Sequence, residues 1–213
     1  MAIRWLDEPA QRAFAQAVEG VERASAAELV VAVRRRARAW PHVPLAVGIV
    51  GAWLGLAFML YSDHAFGLAS FLIDPLLAGA LAGGAATLAT PLVRWLTPAG
   101  VRRRAVVAAA RAVFVERGVH HTGGRTGLLV YCALAERMAA VVADTGVVTA
   151  VPAATLARHA AAIDRALAQG GAATAAAIAA LGPDLAAALP RATDDINELP
   201  DALDHDLERR PRS

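Results

Sequence analysis

The stretch AELVVAVRRRARAWPHVPLAVGIV, residues 27–50, holds a strand-like segment and the start of a long apolar segment with only a short basic linker between them. From Glu28 to Val33, apolar residues fill every position but the first, and three of them are valine, which is typical of a buried β-strand. A lone strand leaves its backbone N–H and C=O groups without partners. The sequence therefore predicts that the rest of the sheet lies beyond the apolar segment.

Two apolar runs without any charged residue follow, residues 43–61 and 75–93. As helices they would each be about 28 Å long, close to the ~30 Å hydrocarbon core of a bilayer. The first run begins behind a segment that itself looks folded, so neither run is expected to be a signal peptide. We predict two transmembrane helices with residues 62–74 as a short external loop. A buried helix of a soluble domain is the alternative for the second run.

Small residues recur within both runs at a spacing that lets helix backbones approach closely. The pairs are Gly51/Gly55 in the first run and Gly79/Gly83 in the second. The simpler interpretation is that the two helices pack on each other as a hairpin. The alternative is that one of these glycine faces also joins two copies of the chain as a homo-oligomer.

The composition is that of a chain which is partly membrane-embedded and partly soluble. It has 213 residues, of which 57% are hydrophobic, and a mean hydropathy of +0.44. The formal net charge is only +2, so a nucleic-acid partner is not expected. All 21 basic residues are arginine, which together with the abundant alanine is typical of GC-rich bacterial coding. A single cysteine, Cys132, excludes an internal disulfide framework.

The arginines predict the orientation of the spans. They cluster before the first run, at residues 34–38, and after the second, at 94 and 102–104, whereas the connecting segment has none. The positive-inside rule therefore places both termini in the cytoplasm, in an inner membrane that the chain crosses twice. No carboxylate, histidine or arginine lies within the spans, which disfavours a transporter or a channel.

The remaining sequence falls into two soluble pieces, residues 1–39 and 99–190. The first predicts an amphipathic helix capped by Asp7, followed by the strand. The second predicts, in order, a helix at 101–116, strands at 126–134 and 138–143, and helices at 152–168 and 172–189. One sheet forms from both pieces if the membrane hairpin is an insertion within a single domain. Residues 191–213 are expected to be a solvated, mobile polar tail, and 204–206 are given no role.

Three segments carry a resemblance to a known family: AELVVAV after an amphipathic helix, GRTGLLVYCALAERMAAVVADTGV, and NELPD near the end. The chain resembles the TPM-domain family, in particular its bacterial branch of membrane proteins with a two-span insertion. The resemblance implies an α/β fold in which a small sheet lies between helices on both faces. Many members carry this domain outside the cytoplasm, whereas the arginines here favour the inside.

The resemblance also implies chemistry, because acid phosphatase activity and divalent-cation binding belong to some plant-type relatives. Asp144 follows the second hairpin strand and Glu28 opens the first strand, so the two are candidate ligands for Ca²⁺ or Mg²⁺. The alternative is that Asp144 caps its own turn and Glu28 ends a strand at the surface. His120 and His121 are interpreted as part of a solvated loop.

Three hypotheses for function remain open. The first is a non-catalytic interaction or scaffold module held at the cytoplasmic membrane face, with a membrane or cytoplasmic protein as its partner. The second is a divalent-metal-dependent phosphatase that acts on phosphomonoesters. The third is an accessory subunit that works through its membrane helices.

Overall fold

The structure, a computed structural model, describes residues 5–191 and 203–207. Its helices are, in chain order, α1 (Glu8–Ala24), α2 (His42–Tyr61), α3 (Leu68–Leu88), α4 (Thr90–Leu96), α5 (Ala99–Glu116), α6 (Thr145–Ala150), α7 (Ala153–Ala166), α8 (Gly171–Ala179) and α9 (Gly182–Ala188). Its strands are β1 (Glu28–Arg34), β2 (Gly127–Ala133), β3 (Met138–Ala143) and β4 (Asp204–His205).

The chain divides into two compact units. The sheet unit comprises the chain up to Ala37 and from Arg103 onward, and the hairpin unit comprises Arg38–Arg102. The sheet unit is therefore interrupted in sequence by the whole of the hairpin unit. Each unit is described by itself below.

The strands form one mixed sheet in the order β3-β2-β1-β4. β1 pairs in parallel with β2, from Glu28 opposite Gly127 to Arg34 opposite Ala133, and β2 pairs antiparallel with β3. The strand before the apolar helices thus pairs with residues far downstream, which satisfies the backbone groups that a lone strand would leave without partners.

Helices cover both faces of this sheet, so the predicted α/β class, a small sheet between helices, is confirmed. On one face, Leu29, Val31 and Val33 of β1 pack in a core with α1, α7, α8 and α9. On the other face, Val30 and Ala32 pack in a second core with α5. A strand that is buried on both faces must be apolar at consecutive positions, which is why β1 lacks an alternating pattern.

The hairpin unit differs from the predicted boundaries at its second helix. α3 begins at Leu68 rather than at Pro75, so Asp74 and Pro75 lie inside the helix and do not start it. The connection between the helices is accordingly shorter than the predicted loop of residues 62–74. α3 ends at Leu88, and α4 follows with Pro91 in its first turn. Proline at this position removes a backbone donor and disfavours an unbroken helix, which explains the break within residues 75–93.

The prediction of a polar tail without structure is wrong for the described residues 203–207. Asp204 and His205 form β4, which pairs in parallel with Ala32 and Val33 of β1, and Leu207 is buried in the first core. The rest of the predicted tail beyond residue 191 lies outside the described residues. A strand of two polar residues has no hydrophobic pattern of its own, so no local pattern predicts it.

Candidate functional site

The two predicted metal ligands lie at the same end of the sheet, on either side of Gly127. Glu28 is opposite Gly127 in the β1–β2 register, and the backbone N–H of Asp144 donates to the carbonyl oxygen of Gly127 at 2.9 Å. Two strand spacings amount to about 10 Å between their backbones. A Cβ on Gly127 would overlap the carbonyl oxygen of Val119, so that carbonyl lies against the glycine. The structure brings the two residues to one edge of the sheet, with backbone packed at the glycine between them.

Asp144 is buried and acts as the N-cap of α6, a helix that the sequence did not predict. Its Oδ1 accepts a hydrogen bond from the backbone N–H of Thr145 at 2.7 Å. Its Oδ2 lies 3.1 Å from Arg125 Nε but receives no aligned hydrogen bond. The capping alternative is therefore what the geometry shows for one oxygen, while the second oxygen is held by charge alone.

Arg125 is fixed in an unusual backbone conformation beside this carboxylate. Its φ is +53°, in the left-handed region that costs a residue with a side chain about 1 kcal/mol or more. Two backbone hydrogen bonds hold it there: its N–H donates to Thr122 O at 3.1 Å, and its carbonyl accepts from the N–H of Gly146 at 2.9 Å. The predicted Gly-rich loop thus presents a guanidinium to Asp144, and a divalent cation would have to displace that guanidinium.

The ligand set for a metal ion is small in this structure. Within residues 5–191 and 203–207, no group of three or more His, Cys, Asp or Glu side chains is placed to hold an ion. Ca²⁺ and Mg²⁺ prefer six or more oxygen ligands, so Glu28 and Asp144 would need water or backbone carbonyls to complete a shell. The Ca²⁺ or Mg²⁺ site stays a prediction.

His120 and His121 lie in the loop between α5 and β2. Their ring centroids are 3.9 Å apart, and the His120 ring also lies 6.1 Å from that of Phe114. Nδ1 of His120 is buried without a hydrogen-bond partner. His120 thus packs against α5, whereas His121 is exposed, as expected for the predicted solvated loop.

A second polar cluster, missed by the sequence analysis, fastens β4 to the sheet. Asp204 forms ion pairs with Arg34 of β1 and with Arg117, the latter at 2.6 Å. The Arg35 N–H donates to Asp206 Oδ1 at 2.8 Å. Arg34 and Asp204 are 170 positions apart, so no local spacing could have paired them. Arg34 and Arg35, which the sequence assigned to the membrane flank, also position β4 and Asp206.

The carboxylates of Glu136 and Asp164 hold the points where the sheet unit gives way to the hairpin unit. The N–H of Ala37 donates to Glu136 Oε2 at 3.2 Å, and Glu136 is completely buried in the turn between β2 and β3. Arg103 pairs with Asp164 and donates to the carbonyl of Ala139 at 2.6 Å, while the Ala139 N–H donates to Asp164. The residues next to the hairpin unit, Ala37 and Arg103, are therefore held by β3 and by the turn that precedes it.

The titratable groups in the centre of the sheet, Tyr131 and Cys132, are buried and protonated at neutral pH. Burial raises the pKa of the Cys132 thiol to about 12, so this cysteine is protonated at neutral pH. Burial likewise raises the pKa of the Tyr131 hydroxyl well above its ordinary range. Neither group is a candidate nucleophile or proton carrier, which agrees with their packing in the two cores.

Comparison with known proteins supports the fold. No protein-family model and no curated protein matches this chain. Among solved structures it is similar to the NMR structure of BA42 protein from the psychrophilic bacterium Bizionia argentinensis, with a TM-score of 0.57 and 16% sequence identity. That similarity covers 95% of this chain and 96% of the other. At such low identity it shows that the α/β fold is shared, and nothing about activity.

The structure also contains segments suited to a bilayer. Within the part of the chain that the structure describes, three helical stretches are long and apolar enough to cross a membrane: His42–Tyr61, Leu68–Leu88 and Gly171–Ala188. The first two are α2 and α3 of the hairpin unit. The third corresponds to α8 and α9, whose Ile178 and Leu185 are buried in the first core of the sheet unit. The chain is thus compatible with a membrane protein.

Proposed function

We propose that this chain is an integral membrane protein that crosses the inner membrane twice and presents a TPM-like α/β domain at the cytoplasmic face. We further propose that this domain is a non-catalytic interaction or scaffold module for another protein. The proposed membership in the TPM-domain family rests on the AELVVAV and GRTGLLVYCALAERMAAVVADTGV segments and on the order of elements around them.

One observation carries the proposed membrane insertion: the surface of the hairpin unit is apolar. Among the described residues, all but two of the exposed large hydrophobic side chains lie between Leu45 and Leu96, the exceptions being Val115 and Val148. Trp53, on α2, is 68% exposed, and Leu81, on α3, is 75% exposed. An apolar surface that runs along both helices is too extensive for contact with water, whereas lipid chains would cover it.

The orientation is supported by the arginines at the base of the hairpin. Both chain connections, around Ala37 and around Arg103, lie in an arginine-rich sequence, and the loop between α2 and α3 has no arginine. α8 and α9 are assigned to the soluble core because their apolar side chains are already buried against α1 and the sheet. These observations support the proposed topology of two spans with both termini in the cytoplasm.

Reporter fusions test this topology. A fluorescent protein at either terminus should fold and fluoresce, because it stays in the cytoplasm. Alkaline phosphatase inserted at Gly67, an exposed residue directly before α3, should be active, because it reaches the outer side. An active phosphatase fusion at the C-terminus, or an inactive one at Gly67 in a protein that is still inserted, would contradict the proposed topology.

The metal-dependent phosphatase is the second candidate, and the unbonded Oδ2 of Asp144 is the observation that favours it. If this oxygen binds Ca²⁺, ion binding stabilises the folded protein by about 2.7 kcal/mol at a hundredfold excess over the dissociation constant. For a domain of this size that raises the melting temperature by roughly 5–10 °C. Arg125→Gln removes the competing guanidinium and should enlarge the shift, whereas Asp144→Asn should abolish it.

The measurement is the thermal unfolding of the detergent-solubilised chain with and without millimolar Ca²⁺ or Mg²⁺. Glu116→Gln, which removes an exposed carboxylate at the end of α5, is the matched control and should behave like the wild type. The same samples are assayed for hydrolysis of a phosphomonoester. If neither ion moves the melting curve of the wild type or of Arg125→Gln, Asp144 is a capping residue and the phosphatase hypothesis loses its site.

A further inference from the structure

A hydrogen bond joins the two ends of the hairpin unit at its base. His42 Nε2 and Thr97 Oγ1 are 2.9 Å apart, and Thr97 is buried. His42 begins α2 and Thr97 caps the end of α4, so this bond ties the two ends of the unit together. Residues shortly before His42 and residues around Thr97 therefore lie at the same end of the hairpin.

Arginine and tryptophan side chains are concentrated at that end. We call it the basic rim and define it as Arg38, Trp40, Arg94, Trp95 and Arg102. The guanidinium of Arg38 lies 5.3 Å from the ring centroid of Trp40, and Arg102 Nε donates to the carbonyl of Thr97 at 3.2 Å. Trp95, on α4, is 89% exposed. Exposed tryptophan beside an apolar helix is typical of the boundary between lipid chains and headgroups.

The opposite end of the hairpin has the opposite charge character. Between Tyr61 and Pro75 there is no arginine or lysine, and the charged residues are Asp63 and Asp74. This end instead carries an aromatic group in which the ring of Phe66 contacts those of Phe58, His64 and Phe71. The arginines of the hairpin unit therefore lie at one end of its two apolar helices.

We propose that the basic rim binds the phosphate groups of anionic phospholipid headgroups in the leaflet on its own side of the membrane. This inference rests on the membrane insertion proposed above. The rim supplies planar guanidinium groups, which pair with phosphate through two parallel hydrogen bonds. It is also continuous with the apolar surface of α2 and α3, so one lipid would contact the rim with its headgroup and the helices with its acyl chains.

Charge complementarity sets the expected size of the effect. An arginine near an anionic membrane surface contributes about 1 kcal/mol to binding, which corresponds to roughly a fivefold change in affinity. Removing one rim arginine should therefore reduce the occupancy of a bound anionic lipid by about fivefold at subsaturating lipid. A zwitterionic lipid of the same chain length should respond far less, because its headgroup has no net charge.

The test uses the full-length protein purified in a mild detergent. It is incubated with mixed micelles of phosphatidylcholine and phosphatidylglycerol in equal amounts, and the lipids that stay bound are identified by native mass spectrometry. We expect phosphatidylglycerol to be retained in preference to phosphatidylcholine. Arg38→Gln and Arg94→Gln should each lower that retention. Arg111→Gln, which removes an equal charge from an exposed position on α5 in the sheet unit, should not.

Three controls make the result decisive. Excess inorganic phosphate should leave the bound phosphatidylglycerol in place, and displacement by phosphate would overturn the assignment to a lipid. Equal retention of both lipids, or an equal loss in Arg111→Gln and the rim variants, would also overturn it. Resistance of the vesicle-reconstituted protein to carbonate extraction is measured in parallel. Inserted protein without lipid preference contradicts only this inference, whereas protein that carbonate extracts contradicts the proposed function itself.

Discussion

A chain in which residues 38–102 are replaced by a flexible Gly/Ser linker should fold as a soluble monomer, and the fragment from Arg103 onward should not fold without residues 1–37. The reason is the position of β1 in the sheet. It lies between β2 and β4, so the N-terminal residues supply a central strand and not an edge. Without β1, the buried strand β2 would expose an apolar, unpaired edge to water.

The size of the loss follows from the side chains that residues 1–37 contribute to the first core. These are Leu6, Phe14, Val18, Val21, Leu29, Val31 and Val33. Burying one large apolar side chain is worth about 1.5–3 kcal/mol, so losing all of them costs roughly 10–21 kcal/mol, as much as or more than the 5–15 kcal/mol by which a typical domain is stable. The fragment should therefore be insoluble or lack a cooperative thermal transition, as measured by circular dichroism.

A matched variant separates the need for β1 from the need for chain length. Val31→Asp in the linked chain leaves the chain length unchanged but buries a charge at a central position of β1. It should also prevent folding. The linked chain with the native Val31 should melt cooperatively. A stable monomer formed by the fragment from Arg103 onward alone would show that β1 is dispensable and that the sheet does not require both halves of the chain.

The parts of the fold that sequence alone could predict are those with long, uniform patterns. β1, the β2–β3 pair and the first apolar helix were located within one or two residues because consecutive apolar residues leave few alternatives. The split of one sheet around an inserted hairpin followed from backbone pairing, since β1 had no other partner. The limits of α3 were less predictable, because Pro75 is compatible with either the start or the interior of an apolar helix.

The parts that could not be predicted depend on contacts between distant residues. β4 is held by Arg34 and Arg117, and neither side chain reveals its partner until the sheet and α5 have folded. α6 was hidden because the sequence Asp144-Thr145-Gly146 is equally suited to a turn. At the predicted metal site, the sequence placed Glu28 and Asp144 at the ends of strands. It could not show that Arg125 forms an ion pair with Asp144.

Gly79→Leu should destabilise the hairpin strongly, whereas Gly84→Leu on the same helix should be almost neutral. A Cβ at Gly79 would lie 2.8 Å from the carbonyl oxygen of Gly48 and 3.0 Å from the Cβ of Ala52, so α2 and α3 would have to separate. A Cβ at Gly84 would meet nothing within 4 Å. Forcing side-chain atoms into a well-packed contact costs about 1–3 kcal/mol.

The glycines that the sequence offered for homo-oligomerisation are all part of this contact within one chain. Added Cβ atoms at Gly51 and Gly55 would meet Ala82 and Ala78, and one at Gly83 would lie 2.9 Å from the carbonyl oxygen of Pro44. The hairpin interpretation therefore accounts for the spacing. Association of two copies through Gly51/Gly55 or Gly79/Gly83 stays a prediction, and it requires the same atoms to serve a second partner.

The measurement is energy transfer between dyes on cysteines introduced at the exposed positions Leu45 and Leu88, followed while the protein is titrated with SDS. Cys132 is buried and its thiol is protonated, so it should stay unlabelled in the folded protein. Gly79→Leu should lower the SDS concentration at which transfer is lost, and Gly84→Leu should leave it near that of the wild type. Equal midpoints for the two variants would contradict close packing at Gly79.

A different result would point to association of two copies. If Gly79→Leu leaves the energy transfer unchanged and lowers the mass in sedimentation, these glycines join two copies, because only an intermolecular contact changes the assembly without opening the hairpin.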